Sequence, residues 1–196
     1  MDVFGGSLPR YLYAVSNWLW LAFLVLWLVW GLITTRQRRV VTRGSSVVPL
    51  WVMLFLLLFF RHDLLGFIPE LVLWPGHTPA AVAGLLVQAA GLGLSVWARY
   101  YLGSFWSSAP VLREGHKVVA SGPYRLVRHP IYSGLLLAVL GTFLMNGSTF
   151  SLLALILATG AMWWKAWSEE RLLTAELGDE YVNYRRRTCM LIPWLL

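Results

Sequence analysis

Charge, cysteine and histidine are what this chain of 196 residues has least of, and each scarcity excludes something. Charged residues make up 13% of the sequence against 58% hydrophobic, which is more apolar surface than one soluble core can hide, so a lipid solvent is implied. The single cysteine, Cys189, can close no intrachain disulfide. Its neighbours Thr188 and Met190 offer neither positive charge nor a metal ligand, so it reads as structurally incidental and not as a nucleophile. Four histidines with no metal-ligand spacing, and no recognisable nucleophile–base pair, argue against metal-dependent or covalent hydrolysis. Acid is also scarce, and the net charge is +7. The bases lie in short runs beside apolar segments, as in Arg36, Arg38, Arg39 and Arg43, so anionic lipid and the positive-inside rule account for them and no nucleic-acid partner is expected. Met1 to Pro9 lacks a basic leader, and the apolar stretch after it is too long for a signal-peptide core, so it is expected to stay as a span.

What is present is long apolar runs and twelve tryptophans, whose amphipathic rings suit the edge of a bilayer. A hydrocarbon core about 30 Å thick takes roughly 20 helical residues. That ruler predicts an all-α membrane protein of five spans: Tyr11 to Ile33, Val47 to Phe60 continued through Arg61, His62 and Asp63 toward Phe67, Ala80 to Tyr100, Ile131 to Met145, and Thr149 to Trp167. Pro69, Pro75, Gly76 and Pro79 mark Arg61 to Asp63 as a solvated helix end. Gly91 and Gly93 in the third span are read as close helix packing. Asn146, Gly147 and Ser148 predict a tight turn that makes the last two spans a helical hairpin. The arginines after span one place the N-terminus outside, and the 103–130 and 168–196 segments in the cytoplasm, of a prokaryotic inner membrane by expectation. One domain fits the length. Residues 1–101 form its scaffold of three lipid-facing helices, and residues 102–196 carry the chemistry.

The patterned polar residues lie in those two cytoplasmic segments. The first holds Leu102-Gly103-Ser104-Phe105-Trp106-Ser107, then Gly115-His116-Lys117-Val118-Val119, then Gly122-Pro123-Tyr124 and Arg128-His129-Pro130-Ile131-Tyr132-Ser133-Gly134. The second holds Glu169-Glu170, then Gly178-Asp179-Glu180-Tyr181-Val182-Asn183-Tyr184, then Ile192-Pro193. In combination these strings resemble the isoprenylcysteine carboxyl methyltransferase and phospholipid methyltransferase superfamily of membrane enzymes, over Leu102 to Pro193. The resemblance implies S-adenosylmethionine, held in a cytoplasmic pocket between the loop before span four and the helix after span five. It also implies a methyl acceptor that is lipophilic or membrane-embedded: an isoprenylcysteine-like carboxylate, a phospholipid amine or a small thiol. Membrane lipids are the other expected partner, and no obligate protein partner is implied.

Residue by residue, Pro130 suits the first turn of a helix, which leaves His129 at its mouth beside unpaired N–H groups. A cofactor carboxylate can dock there with help from Arg128, while the plainer alternative gives Arg128 to lipid phosphates and makes His129 a cap. Arg125 is read as a lipid contact. Glu169 and Glu170 are expected on a helix that runs on to Leu177 and stops at Gly178. Adjacent helical residues point about 100° apart, so the two cannot face one pocket equally. Either can bind the cofactor's amino group or a ribose hydroxyl, or be a solvated charge paired to Lys165 or Arg171. His116, Lys117, Val118 and Val119 offer backbone groups to adenine, as the resemblance implies. Tyr124, Tyr132, Tyr181 and Tyr184 offer ring faces and hydroxyls, or are interfacial residues. Arg128, Tyr132 and Glu170 are the expected catalytic residues, Tyr124, His129, Pro130, Glu169, Glu170 and Tyr181 are expected at the cofactor, and no metal is. Trp106 walls the site or anchors its loop, and Arg185, Arg186 and Arg187 read as a lipid-surface clamp.

Methyl transfer from a sulfonium needs alignment and exclusion of water more than acid–base machinery, which agrees with the absences above. Membrane sterol reductases carry a related C-terminal pattern and define the enzymatic alternative, a nicotinamide-dependent oxidoreductase. A non-catalytic scaffold or transporter subunit is the other, though no span shows the charge pairs or repeat symmetry of a transport path.

Overall fold

Five helices run through the residues that the computed structural model describes, which are 7–35, 42–43, 71–74, 78–103, 111–112 and 118–193. They are α1 (Ser7–Thr35), α2 (Thr78–Leu102), α3 (Pro130–Asn146), α4 (Thr149–Leu177) and α5 (Asp179–Arg185), with a 3₁₀ turn at Gly122–Arg125. The expected all-α class holds apart from a two-residue antiparallel ribbon, β1 (Thr42–Arg43) with β2 (Val111–Leu112). α1 over Tyr11–Ile33, α2 and α4 are each long and apolar enough to cross a bilayer, and the chain is an integral membrane protein. α3, at 17 residues, is shorter. The expected span from Val47 to Phe60, with Arg61, His62 and Asp63, lies outside the described residues.

Helix ends fall where local chemistry puts them. Gly147, at φ 56°, takes the left-handed conformation that closes α3, and Ser148 then caps α4 in a reciprocal pair with Ser151. α4 continues to Leu177 and stops at Gly178, whose φ of 54° favours glycine.

Lipid offers no hydrophobic reward for helix association, so close packing and hydrogen bonds hold the bundle together. α2 and α3 touch along glycine. A Cβ on Gly84 would lie 2.6 Å from the Gly141 carbonyl oxygen, and one on Gly134 would lie 2.5 Å from that of Gly91. Of the expected packing pair only Gly91 serves, because a Cβ on Gly93 would meet open space. α1 docks by one face, with donors spaced three and four residues apart. The Tyr13 hydroxyl donates to the Met145 carbonyl (2.7 Å), Ser16 to Gln88 (2.6 Å) and the Trp20 indole to Thr142 (3.0 Å). Near the opposite ends of α1 and α2, the Arg99 guanidinium lies over the rings of Trp27 (4.3 Å) and Trp30 (5.0 Å).

These contacts give the bundle two distinct ends. At one, residues 71–74 bond to the Gly147 turn, with the Leu73 N–H donating to the Gly147 carbonyl at 2.6 Å. At the other, β2 follows α2 and pairs with β1, and the 3₁₀ turn packs on Tyr101 through Gly122.

Candidate active site

Pro130 opens α3, and its fixed φ and missing N–H suit that position, so His129 becomes the N-cap. Residues 189–191 lie along this entrance as a strap. The Arg128 and His129 N–H groups donate to the carbonyls of Cys189 (2.8 Å) and Met190 (3.1 Å), and the Cys189 N–H returns to Leu126 (3.2 Å). The Ser133 hydroxyl adds a bond to the Leu191 carbonyl. Cys189 joins the strap to this entrance through its backbone.

Against this entrance α4 brings both glutamates. Arg128 Nε donates to Glu170 Oε1 at 2.5 Å, and its Nη1 reaches the carbonyls of Arg185 (3.2 Å) and Thr188. The Tyr132 hydroxyl donates to Glu169 Oε1 at 2.6 Å. His129 stands between the carboxylates, with Nδ1 3.5 Å from Glu169 and Nε2 3.5 Å from Glu170. Its ring stacks on Tyr132, centroids 5.6 Å apart and planes 9° from parallel. The two glutamates meet the site unequally, as their separation of about 100° requires: the imidazole wedged between them takes one at each edge.

The electrostatics follow from this wedge. Burial disfavours a charged His129, yet the adjoining carboxylates of Glu169 and Glu170 outweigh it and hold its pKa above the ordinary histidine value. Burial raises the phenols of Tyr124 and Tyr181, and that of Tyr184 is pushed up to about 12, so all three stay un-ionised at neutral pH and serve as donors, not bases. Tyr184 uses its hydroxyl on the Tyr124 carbonyl, 2.7 Å away. Near the cluster, His129 Nε2 and the Thr174 hydroxyl, one turn beyond Glu170, are buried and make no hydrogen bond among the described residues.

The structure gathers Arg128, His129, Pro130, Tyr132, Glu169 and Glu170 into one cluster, with buried Tyr124 and Tyr181 beside it. Val119 packs into the core against residues that include Tyr124 and Ala98, and the Val118 N–H faces Glu180 Oε1 at 3.4 Å. His116 and Lys117, with Trp106, lie outside the described residues. Arg125, Arg186 and Arg187 are exposed. Arg185 corrects the lipid-clamp reading, since its Nε lies 3.1 Å from Glu170 Oε2. It falls one turn after Tyr181 on α5, a spacing the sequence held but the basic run obscured. Lys165, fully buried, reaches Glu169 Oε1 at 3.6 Å, whereas Arg171 lies over Trp167 instead. No group of three or more His, Cys, Asp or Glu among the described residues is arranged to hold a metal.

A family model described as phospholipid methyltransferase matches residues 79–180, just over half of the chain. A methanethiol S-methyltransferase of Mycobacterium tuberculosis is 34% identical over 147 residues, which cover 63% of this chain and 58% of that protein. The protein-S-isoprenylcysteine O-methyltransferase B of Arabidopsis thaliana is 29% identical over 143 residues, 68% of this chain and 71% of the plant protein. A cobalt-zinc-cadmium resistance protein of Cupriavidus metallidurans is 33% identical over 115 residues, with 58% and 52% covered. The match thus spans less than two thirds of the mycobacterial and Cupriavidus proteins.

Proposed function

We propose, from the premise that this chain belongs to the phospholipid methyltransferase family, that it is an S-adenosylmethionine-dependent methyltransferase acting on a lipophilic or membrane-embedded acceptor. The observation that supports this most is the cluster at the mouth of α3, where His129 is wedged between Glu169 and Glu170 inside the matched residues. Its polar groups fit the cofactor: two carboxylates for an ammonium or ribose hydroxyls, and the buried Thr174 hydroxyl and His129 Nε2, neither of which makes a hydrogen bond among the described residues, for a polar ligand. Glu169, Glu170 and His129 would hold the amino-acid and ribose portions, aided by the free N–H groups of the first turn of α3. Tyr124 and Tyr181 would wall the site, and His116, Lys117, Val118 and Val119 would offer backbone groups to adenine.

When bound, S-adenosylmethionine supplies a methyl group on a sulfonium that leaves readily. The chain's own part is alignment and exclusion of water. Arg128 ties Glu170 to the strap and to the end of α5, and Tyr132 fixes Glu169 while stacking on His129, so both carboxylates are held before a ligand arrives. In the bilayer we place five spans, the last two a hairpin, with the N-terminus outside and the site at the cytoplasmic face, open to cofactor from water and to the acceptor from lipid.

Calorimetric titration of the purified protein in detergent tests this reading. Micromolar binding of S-adenosylmethionine or S-adenosylhomocysteine is expected, with about 2.7 kcal/mol of stabilisation at a hundredfold excess over Kd. Binding of a reduced nicotinamide cofactor in its place would overturn it.

A further inference from the structure

We infer that Lys165 sets the charge of the acceptor: from the membrane side of the cluster its ammonium receives the head of a lipophilic carboxylate or thiolate and opposes a lipophilic amine. This rests on the methyltransferase reading above.

An ionisable side chain within a span is expensive to keep and marks a site by default. Lys165 is completely buried, with Nζ 3.6 Å from Glu169 Oε1. Its place on α4 is one turn before Glu169, about 6 Å further into the span. On the same buried face below it stand Ala158 and Met162, and beside it Ala166 packs with Met190 and Leu191 near Tyr132 and Leu136. Lys165 is therefore the cation lying between the polar mouth, which a water-soluble ligand reaches, and the apolar interior, from which a lipophilic ligand arrives.

The charges point the same way. Among the described residues the ion pairs set Arg128, Arg185 and Lys165 against Glu169 and Glu170, three cations to two carboxylates before His129 is counted. An ammonium acceptor would bind against those cations, and only its neutral amine, once the proton has left, could react. Both glutamates already answer cations, and His129 between them favours its protonated form, so no base in the cluster is ready. A carboxylate needs none. Its oxygen bonds to the methyl carbon as the carbon–sulfonium bond breaks, the electron pair stays on the departing sulfur, and a methyl ester and a neutral thioether result. A thiol first gives its proton to water, which a nearby ammonium favours, and its thiolate then reacts in the same way.

The test uses the full chain in detergent and three acceptors of matched dodecyl chain: an S-dodecyl cysteine carboxylate, dodecanethiol and dodecylamine. Binding to protein loaded with S-adenosylhomocysteine is measured by calorimetry, and turnover with S-adenosylmethionine alongside. The wild-type protein should bind and methylate the carboxylate or the thiol in preference to the amine. Lys165→Met should raise KM for the anionic acceptors about tenfold or more, with smaller changes in kcat and in affinity for S-adenosylhomocysteine, whose Glu169 contact loses a neighbouring cation, and Lys165→Arg should restore part of the loss. Preference for the amine in the wild type would overturn the inference, and so would a Lys165→Met defect that falls equally on all three acceptors or on S-adenosylhomocysteine alone. If Lys165→Met does not fold, the wild-type ranking and Lys165→Arg decide. Failure of the wild type to bind S-adenosylhomocysteine would instead bring down the methyltransferase reading itself.

Discussion

Two sets of buried polar side chains lie in this bundle, and they are built on opposite terms. Apart from Arg99, which lies over Trp27 and Trp30, the groups that join α1 to α2 and α3 are neutral and bonded: Tyr13 to Met145, Ser16 to Gln88 in both directions, Trp20 to Thr142. At the mouth of α3 the groups are charged, three chain segments converge, and His129 Nε2 is left without a hydrogen bond. A satisfied neutral pair does its work by joining helices. A charged cluster with an unbonded buried nitrogen is poorer glue, because desolvation opposes it, and its persistence is better explained by ligand chemistry. If that distinction is sound, damage to the first set should appear as lost stability with an intact site, and damage to the second as lost binding with an intact fold.

The severest break is in the scaffold's backbone contact. Gly91→Val would drive a side chain into the backbone of Gly134 and Ala138, which cannot yield as a side-chain end can. Overpacking typically costs about 1–3 kcal/mol, and a clash with backbone on both sides belongs at or above the top of that range, enough to prevent stable folding here. Gly93→Ala, two residues away but facing open space, should be neutral or gain up to about 1 kcal/mol. Yield of monodisperse protein and thermal unfolding in detergent read both, and equal behaviour of the two variants would remove the glycine seam from the account.

Next comes the cluster. Glu170→Ala leaves Arg128 and Arg185 without their shared carboxylate and should cost about 1–3 kcal/mol of cofactor affinity while the helices stay formed. His129→Ala should act in the same direction. Glu169→Ala should be impaired as well, since both glutamates meet His129. Arg186→Ala, exposed, should change affinity little. A Glu170→Ala protein with full affinity and a lowered melting temperature would turn the cluster into a second scaffold.

Much of this was legible beforehand because it follows from local rules. Span length placed the ends of α2 to within two residues and those of α1 to within four, and Gly147, Ser148 and Gly178 marked the ends of α3 and α4 through φ angles and caps. The strings around His129 and Glu170 resembled a family and proved to be neighbours in space. Three-dimensional relations were hidden. Nothing local says that Cys189 to Leu191 run along the entrance of α3, that Arg185 differs from Arg186, or that Gly91 is buried against a backbone while Gly93 is not. Lys165 was visible only as the i−4 neighbour of Glu169, a spacing that surface helices share.

A smaller effect, and one that belongs to the charged set alone, is pH dependence. His129 has a raised pKa in the folded protein against about 6.5 when unfolded. Below about pH 6.5 both states hold the proton and its stabilisation is present in full; as pH rises through the folded value the imidazolium and its hold on the glutamates are lost, so stability falls. Thermal unfolding measured upward from about pH 6 should show that decline, and His129→Gln should flatten it. Stability that rises over this window would mean that the folded state holds the neutral ring.

The smallest effect lies in the neutral set and measures how weak satisfied glue is. Ser16 and Gln88 exchange two hydrogen bonds at 2.6 and 3.0 Å, short distances in buried surroundings, and intuition would assign them a large share of the docking of α1. In a bilayer or micelle, however, the separated helices also find partners for these groups, and measured couplings between spans average about 0.6 kcal/mol. A cycle of Ser16→Ala, Gln88→Leu and the double variant should therefore return a coupling of about that size, with S-adenosylhomocysteine affinity unchanged in all three. Gln88→Leu alone should look worse than the double variant, because it leaves the Ser16 hydroxyl without its acceptor, whereas removing both groups leaves nothing unpaired. A coupling of about 2 kcal/mol or more, or a loss of ligand affinity that tracks it, would show that the neutral and charged sets are one cooperative unit and that the contrast between them is only one of chemistry, not of role.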